Sequence, residues 1–249
     1  TLTGSEAAGM AVVSEAGRNL KKCVLELGGN NAFVVLNDAN RELTLSLAIP
    51  ARMQNGGQSC IAAKRFILES WIAEDFIPLL VSRVADLVVG DPMEEVTQVG
   101  PLVSVNQARE VEEQVRKSVE MGAKLLLGGE RKGAFYQPTI LSEVTPGMPV
   151  FDEEVFGPVF AVMEASSPEH ALELSNKSNF GLGMQVFTGS ERLAELFIKG
   201  AEEGAVFVNA MVKSDPRLPF GGTKKSGYGR ELAKEGIKEF VNIKTIWID

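Results

Sequence analysis

Residues 23–36 read Cys-Val-Leu-Glu-Leu-Gly-Gly-Asn-Asn-Ala-Phe-Val-Val-Leu and decide the fold class of this chain. The runs 23–27 and 32–36 are predicted to be buried strands, because short apolar runs bounded by turn residues are typical of parallel sheets. Helices are predicted on either side, over 5–19 with Ser5 as the N-cap and over 41–54. Strand and helix therefore alternate in this part of the chain.

The alternation continues towards the C-terminus. Strands are predicted over 65–69, 158–164, 183–188 and 205–209, apolar segments lie near 123–127 and 135–141, and helices are predicted over 72–87, 104–121, 168–176 and 190–199. Segments 90–102 and 210–231 contain many turn residues and are predicted to be loops, and the alternating tail 240–248 predicts a last strand. The pattern predicts an α/β fold with a largely parallel sheet and helices on both of its faces.

The bulk composition limits the class of partner. The formal net charge of −8 argues against nucleic acid, although a local phosphate site is compatible with it. No apolar run reaches the about 18 residues of a membrane-spanning helix, so no membrane partner is expected. The two cysteines, Cys23 and Cys60, suggest no disulfide framework, and we expect a reducing, cytoplasmic location. The chain starts at Thr1 without a signal-peptide pattern or an initiator Met, and we expect it to be part of a longer protein.

Cys60 ends a glycine-rich polar loop, Asn-Gly-Gly-Gln-Ser-Cys over 55–60, ahead of a predicted helical turn at 61–63. A thiol close to the free N–H groups of a helix start can have a lowered pKa and act as a nucleophile. The competing interpretation is an inert, buried cysteine, which is the commoner case. We assign that second state to Cys23, which lies in an apolar run.

Glu26 lies at the end of the first of the two apolar runs, and after Leu27 two glycines follow. Ligands bind beyond the carboxyl ends of strands in open α/β sheets, and a partly desolvated carboxylate there can have a raised pKa and act as a general base. A solvated glutamate beside a tight turn is the competing interpretation. The chain has a single histidine, His170 in a predicted surface helix, so a glutamate must supply any base.

The segment Gly4-Ser5-Glu-Ala-Ala-Gly9 opens the first predicted helix. Free N–H groups at a helix start favour phosphate, and glycine permits its close approach. A simple capped helix explains the same residues equally well. No metal site is predicted.

Several motifs follow one another in a fixed order. They are Glu26-Leu-Gly-Gly29, Gly57-Gln-Ser-Cys60, Glu154-Val-Phe-Gly-Pro158, Pro219-Phe-Gly-Gly222 and Lys225-Ser-Gly-Tyr-Gly-Arg-Glu231. This ordered set resembles the aldehyde dehydrogenase superfamily over essentially the whole chain, which corresponds to the C-terminal half of a family member. The segments 21–29 and 170–174 resemble bacterial succinate-semialdehyde dehydrogenases in particular.

The resemblance implies an enzyme that oxidises an aldehyde to a carboxylic acid with NAD or NADP. Cys60 is expected to attack the aldehyde carbon, hydride transfer to the nicotinamide then leaves a thioester, and Glu26 activates the water that hydrolyses it. The resemblance also implies a set of cofactor residues: Gly4 and Ser5 at the pyrophosphate, Gly28 beside the nicotinamide, Glu154 on the ribose hydroxyls and Phe156 packed near it. A solvated loop acid is the competing interpretation of Glu154.

The same resemblance implies a small aldehyde with a distal carboxylate, succinate semialdehyde first. Ser214 matches a serine that binds this carboxylate, and Phe220 matches part of the pocket wall, although an ordinary core aromatic explains Phe220 equally well. Gln54 stands where some relatives place a carboxylate-binding arginine. Lys213 or Arg217 is then the candidate replacement within this chain.

The domains implied by the resemblance are 1–29, the last helix and strand of a Rossmann-like dinucleotide-binding domain, and 30–235, the catalytic domain. Residues 236–249 are expected to be an oligomerisation segment whose strand joins the sheet of a neighbouring copy, as a homodimer or homotetramer. The oxyanion-hole asparagine and the cofactor lysine of the family are expected upstream of Thr1. The 249 residues alone are therefore expected to fold without being a competent dehydrogenase.

Three alternatives stay open. A non-catalytic fragment, or a structural or assembly protein that retains the fold, is favoured by loss of the nucleophile or base, whereas both Cys60 and Glu26 are present. An acyl-transferring relative would pass the thioester to coenzyme A, and the presence of Glu26 favours water instead. A dehydrogenase for another small aldehyde is the third, and the choice between NAD and NADP is equally open.

Overall fold

The computed structural model describes residues 1–249 as eight helices and fourteen strands. The helices are α1 (Glu6–Arg18), α2 (Arg41–Met53), α3 (Ser70–Ala85), α4 (Val105–Glu120), α5 (Pro149–Asp152), α6 (Pro168–Asn176), α7 (Glu191–Gly200) and α8 (Ala233–Lys238). The strands are β1 (Leu2–Thr3), β2 (Leu25–Glu26), β3 (Asn31–Val35), β4 (Ala63–Glu69), β5 (Lys124–Leu127), β6 (Arg131–Lys132), β7 (Phe135–Tyr136), β8 (Thr139–Ser142), β9 (Val159–Ala165), β10 (Phe180–Gly181), β11 (Met184–Phe187), β12 (Val206–Val208), β13 (Thr223–Lys224) and β14 (Gly227–Tyr228). A short 3-10 helix, Gln54–Gly57, follows α2.

A seven-stranded sheet forms the centre of the molecule, in the order β12-β11-β3-β4-β9-β8-β5. Every neighbouring pair is parallel except β5 with β8. The central strand β3 is buried along its whole length, because apolar side chains leave it on both faces. Residues of α4, α6 and α7 cover one face of the sheet and residues of α2 and α3 cover the other. The predicted α/β architecture with a largely parallel sheet is confirmed.

Five helices begin after a residue whose side chain caps them, and one of these caps, Ser5, was predicted. In each case the oxygen of a serine or asparagine accepts a hydrogen bond from the backbone N–H three residues later, which satisfies a donor that the first turn leaves free. The caps are Ser5, Asn40, Ser104, Ser167 and Ser190. These local signals explain why the predicted helix starts agree with the structure to within a residue or two.

A small second sheet joins the two ends of the chain. In it β2 lies between β1, to which it is parallel, and β14, to which it is antiparallel. The predicted strand 23–27 is therefore shorter than expected, and the segment 210–231, predicted to be loop, contributes β13 and β14. Gly227 has a φ of +104° and its backbone packs directly on the Leu25 carbonyl, so a side chain has no room there. This pairing holds the Glu26 end of β2 against residues 221–229.

The C-terminal segment differs from its prediction. Residues 240–248 form no strand within the single chain, because no other strand pairs with their backbone and an isolated extended segment leaves its donors and acceptors to water. Helix α8, which was not predicted, spans the expected boundary at residue 235. The tail exposes large apolar side chains, including Ile243 and Trp247. None of the eight helices has the length and apolar character required to cross a membrane.

Candidate active site

The functional motifs meet at the amino ends of the central strands. The 26–30 turn leads into β3, the 58–62 loop leads into β4, and the 153–158 loop leads into β9. The Gly29 N–H donates to Glu154 Oε1 at 2.9 Å, which ties the first segment to the third. The site therefore lies between the carboxyl end of β2 and the amino ends of the large sheet. The expectation of a site beyond strand carboxyl ends holds for β2 alone.

Cys60 lies half-buried in a loop that is held by its backbone. Its carbonyl accepts hydrogen bonds from Asn31 Nδ2 at 3.3 Å and from Lys64 Nζ at 3.1 Å. The predicted helical turn at 61–63 is wrong, because the chain turns once and enters β4 at Ala63, where it pairs with Asn31. The predicted lowering of the thiol pKa by a helix start is wrong for the same reason. Burial raises the pKa of the Cys60 thiol, and the Lys64 charge and the Ile61 N–H oppose this rise.

Glu26 is a buried carboxyl without a hydrogen-bond partner. Only 4% of the residue is exposed, and neither carboxylate oxygen has a donor within reach. Burial, reinforced by the negative charge of Glu231 and opposed by Arg230, raises the pKa of Glu26 to about 7. This burial excludes the solvated strand-end interpretation. A carboxyl whose pKa lies near neutrality is suited to taking a proton from water.

The two glycines after Glu26 are explained by close approach. A Cβ at position 28 would overlap the Glu154 carboxylate, and one at position 29 would lie 2.5 Å from the Cys60 carbonyl oxygen. The Gly28 carbonyl accepts a hydrogen bond of 2.6 Å from the buried Ser226 hydroxyl. Glycine is thus required for the turn to touch both the nucleophile loop and the acidic loop at once.

One hollow of about 690 Å³ contains the nucleophile and all five predicted cofactor residues. Its lining includes Gly4, Ser5, Gly28, Cys60, Glu154 and Phe156. Ser5 Oγ caps α1, so the start of that helix faces the hollow, and free N–H groups at such a start favour phosphate. Glu154 Oε1 is bound by Gly29 and Lys64, while Oε2 accepts no hydrogen bond. The hollow therefore presents a helix start at one side and a free carboxylate oxygen at the other.

The two predicted substrate residues lie elsewhere. Phe220 lines a second hollow of about 450 Å³, formed by the edge strand β12 and the 210–220 loop, and Lys213 lines it too. Ser214 is exposed and lines neither of the two hollows. Arg217 is engaged with Asp215 at 2.6 Å. The residue after Phe220 does reach the site, because a Cβ on Gly221 would lie 3.0 Å from Glu26 Oε1.

Four residues that support the site had no predicted role. They are Asn31, Arg52, Lys64 and Ser226, all of them buried, and their side chains bond the backbone of the motif loops. For Lys64 the sequence does contain a signal, since a lysine and an arginine begin an otherwise apolar strand at 63–69. A charge in a buried strand must find partners at that strand's end. Ser226 lies in the motif 225–231, but its hydrogen bond to the Gly28 carbonyl depends on the tertiary fold.

The chain is similar to known proteins along nearly its whole length. The model of a family described as the aldehyde dehydrogenase family matches residues 1–246. A succinate semialdehyde dehydrogenase [NAD(P)+] of Escherichia coli K12 is 50% identical over 252 residues, which cover 100% of this chain and 54% of that protein. The crystal structure of a succinic semialdehyde dehydrogenase from Streptococcus pyogenes with NADP+ is 40% identical with a TM-score of 0.95, over 99% of this chain and 55% of that one. This chain thus spans about half the length of the relatives it matches.

Proposed function

The chain belongs to the aldehyde dehydrogenase family, and we propose that the protein oxidises an aldehyde to a carboxylic acid with NAD or NADP as the acceptor. One observation supports this most directly: Cys60 shares a hollow with the predicted cofactor residues, and Glu26, buried and unpaired, precedes the turn that lines it. This reaction requires two groups of the protein, a nucleophilic thiol and a base whose pKa lies near neutral pH.

The residues around the hollow fit a dinucleotide. The start of α1 at Ser5 supplies N–H donors for a pyrophosphate, and the unpaired Glu154 Oε2 can accept ribose hydroxyls. Gly28 lines the same hollow, so a flat ring bound there can approach its backbone. Ser5, Gly28, Glu154 and Phe156 would hold the cofactor, whose nicotinamide supplies the hydride acceptor when bound.

In the proposed reaction Cys60 acts first. The Cys60 thiol gives its proton to solvent, the thiolate sulfur bonds the aldehyde carbon, and the π pair of the carbonyl moves to its oxygen, which carries the negative charge of the thiohemiacetal anion. The Cys60 backbone N–H donates to no other backbone group, so it is free to bond that oxygen. Loss of hydride from the carbon then leaves a thioester on Cys60.

Glu26 acts second. Its carboxylate takes a proton from water, the water oxygen bonds the thioester carbon, and the carbon–sulfur bond breaks to release the acid and the cysteine. A pKa of about 7 leaves a large share of Glu26 ionised at neutral pH and still basic enough to accept the proton. The presence of Glu26 favours hydrolysis over transfer to coenzyme A, because water needs a base to become a nucleophile near neutral pH, whereas a thiol is partly ionised there.

We further propose succinate semialdehyde as the substrate, with Ser214 as a carboxylate-binding residue: Ser214 lies outside the hollow of Cys60, but its loop continues to Gly221, which lies beside Glu26. The E. coli and S. pyogenes relatives are named for this aldehyde. We expect kcat/KM for succinate semialdehyde to exceed that for butanal by about tenfold to a hundredfold, because hydrogen bonds to a charged group contribute about 1.5–3 kcal/mol. The measurement is steady-state reduction of the cofactor by the whole protein with each aldehyde.

The butanal rate provides the control for this substrate prediction. Ser214→Ala should lower kcat/KM for succinate semialdehyde several-fold and leave that for butanal unchanged, since butanal has no carboxylate. Equal kcat/KM for the two aldehydes in the unaltered protein would contradict the carboxylate proposal, while any aldehyde-dependent cofactor reduction would still support the reaction class.

The cytoplasmic location of the protein remains a prediction.

The expected partner is a second copy of the chain. The tail 240–248 exposes apolar side chains without a strand partner, and β12 forms one unpaired edge of the central sheet. Backbone pairing of this tail with a neighbouring copy would satisfy its donors and bury those side chains.

Deletion of residues 240–249 should therefore lower the mass measured by light scattering from that of a dimer or tetramer to that of a monomer. Ile243→Asp with Ile246→Asp, which keeps the chain length, should act in the same direction. An unchanged mass after both alterations would show that another surface forms the oligomer.

A further inference from the structure

Lys64 is a fully buried cation that the proposed chemistry does not use. Only 1% of its side chain is exposed, at the start of β4. Burial of an ammonium group is costly unless every proton finds an acceptor. The acceptors that Lys64 has found are therefore informative about its role.

The Lys64 ammonium bonds the backbone on both sides of the nucleophile. Nζ donates to the carbonyls of Ser59 at 2.9 Å, Cys60 at 3.1 Å and Ala62 at 3.3 Å. Three carbonyls of one four-residue turn thus converge on a single charged group. Within the turn the Ala62 N–H donates to the Ser59 carbonyl, and one further side chain, Asn31, donates to the Cys60 carbonyl. Lys64, with three bonds against one from Asn31, therefore makes most of the side-chain hydrogen bonds that hold this turn.

The same ammonium reaches the acidic loop. Nζ lies 3.3 Å from Glu154 Oε1, the oxygen that also accepts the Gly29 N–H. Lys64 therefore touches the nucleophile loop and the carboxylate predicted to bind the ribose. It leaves Glu154 Oε2 free and fixes the direction in which that oxygen points.

We propose that Lys64 is a positioning residue: its ammonium holds the Cys60 loop in shape and links it to the Glu154 carboxylate. The proposal rests on the function proposed above, in which Cys60 is the nucleophile and Glu154 holds the cofactor. Through this link Lys64 keeps Cys60, which attacks the aldehyde, and Glu154, which holds the cofactor, in a fixed position relative to each other.

Charge adds to the geometry. Burial lowers the pKa of Lys64 to about 8, while Glu154 opposes this and keeps the ammonium protonated near neutrality. The positive charge in turn favours the Cys60 thiolate, against the burial that raises the pKa of the thiol. Loss of Lys64 should then change the thiol itself as well as the shape of its loop.

The neighbouring Arg65 offers a matched control. It is equally buried, but its guanidinium bonds the carbonyls of Asn30, Leu174 and Ser175 and no carbonyl of the 58–62 loop. Replacing Arg65 therefore tests the general cost of losing a buried cation, without the specific contacts of Lys64.

The test is the rate of Cys60 alkylation by iodoacetamide in a Cys23→Ser background, measured against pH on folded protein. At about pH 7 we expect Lys64→Met to slow alkylation about tenfold, because the Lys64 charge is the strongest influence that lowers the thiol pKa, and a rise of about one pKa unit leaves about a tenth of the thiolate. Lys64→Arg should stay within about twofold of the unaltered rate, and Arg65→Met should leave it unchanged. Lys64→Gln replaces Lys64→Met should the latter fail to fold.

A wild-type alkylation rate in folded Lys64→Met or Lys64→Gln would overturn the proposal, as would equal slowing by Lys64→Met and Arg65→Met. The Glu154 link is tested by a double-mutant cycle. Because Glu154 keeps Lys64 protonated, the Lys64→Met effect should shrink in a Glu154→Gln background, and strictly multiplicative effects would remove the link. Alkylation needs neither aldehyde nor turnover, so its result is independent of whether the protein oxidises aldehydes.

Discussion

Cys60→Ser is expected to abolish aldehyde oxidation by the whole protein, with a loss of more than about a thousandfold in kcat. A serine hydroxyl is far less acidic than a thiol, and on hydrolysis of the acyl enzyme its alkoxide would be a poorer leaving group than the thiolate. The substitution is nearly isosteric. It leaves the backbone carbonyl of residue 60 in place, and this carbonyl can still accept the hydrogen bonds from Lys64 and Asn31. The loop should therefore keep its shape while the chemistry fails.

Cys23→Ser is the matched control for this prediction. Cys23 is a free thiol like Cys60, but it packs with Leu25 and Leu27 in a small apolar cluster and lines no part of the hollow. We expect most of the activity to survive, with some loss of stability from burying a hydroxyl. Comparable loss of activity from both substitutions, each in folded protein, would contradict the assignment of Cys60 as the nucleophile.

The parts of the fold that local chemistry determines were predictable. Apolar runs of strand length specify β3, β4 and β9, and serine or asparagine caps mark the starts of α1, α2, α4, α6 and α7. The strands β13 and β14 were not predictable, because they are two residues long and exist through pairing with distant partners. The strand predicted for the tail 240–248 is absent from the structure. Its alternating pattern is typical of a strand, but the single chain offers no strand with which its backbone can pair.

The candidate site divides in a similar way. Cys60, Glu26 and the cofactor residues stood in motifs that could be read along the chain, and the structure brings Cys60 and the cofactor residues to one hollow. The direction of the pKa shift of the Cys60 thiol was predicted wrongly. A helix start was inferred from residues 61–63, which instead lead into β4. Lys64 was missed because its acceptors come from the loop before it and from Glu154, 90 residues further along the chain.

Glu26→Gln is expected to stop turnover after the first half of the reaction. The amide cannot take a proton from water, so the thioester on Cys60 should persist once hydride has left the carbon. The expected trace is a burst of reduced cofactor of about one equivalent per active site, followed by a steady rate lower by about a hundredfold or more. Rapid-mixing absorbance measures the burst, and mass spectrometry of the quenched protein should find the acyl group on Cys60. An unchanged steady rate would remove Glu26 from the mechanism.

Stability separates this chemical effect from damage to the fold. The pKa of Glu26 is raised from 4.5 to about 7, so the free energy of unfolding falls as pH rises from about 4.5 to about 7, where the carboxyl is ionised in the unfolded chain but still protonated in the folded one. Glutamine never ionises, and Glu26→Gln should therefore raise the free energy of unfolding at about pH 8 by on the order of 2–3 kcal/mol, a difference that fades as pH falls towards about 4.5. In thermal unfolding this corresponds to a rise of several degrees in Tm. A variant that loses turnover while gaining stability at alkaline pH identifies Glu26 as a group kept for chemistry, whereas loss of both would make it a structural residue.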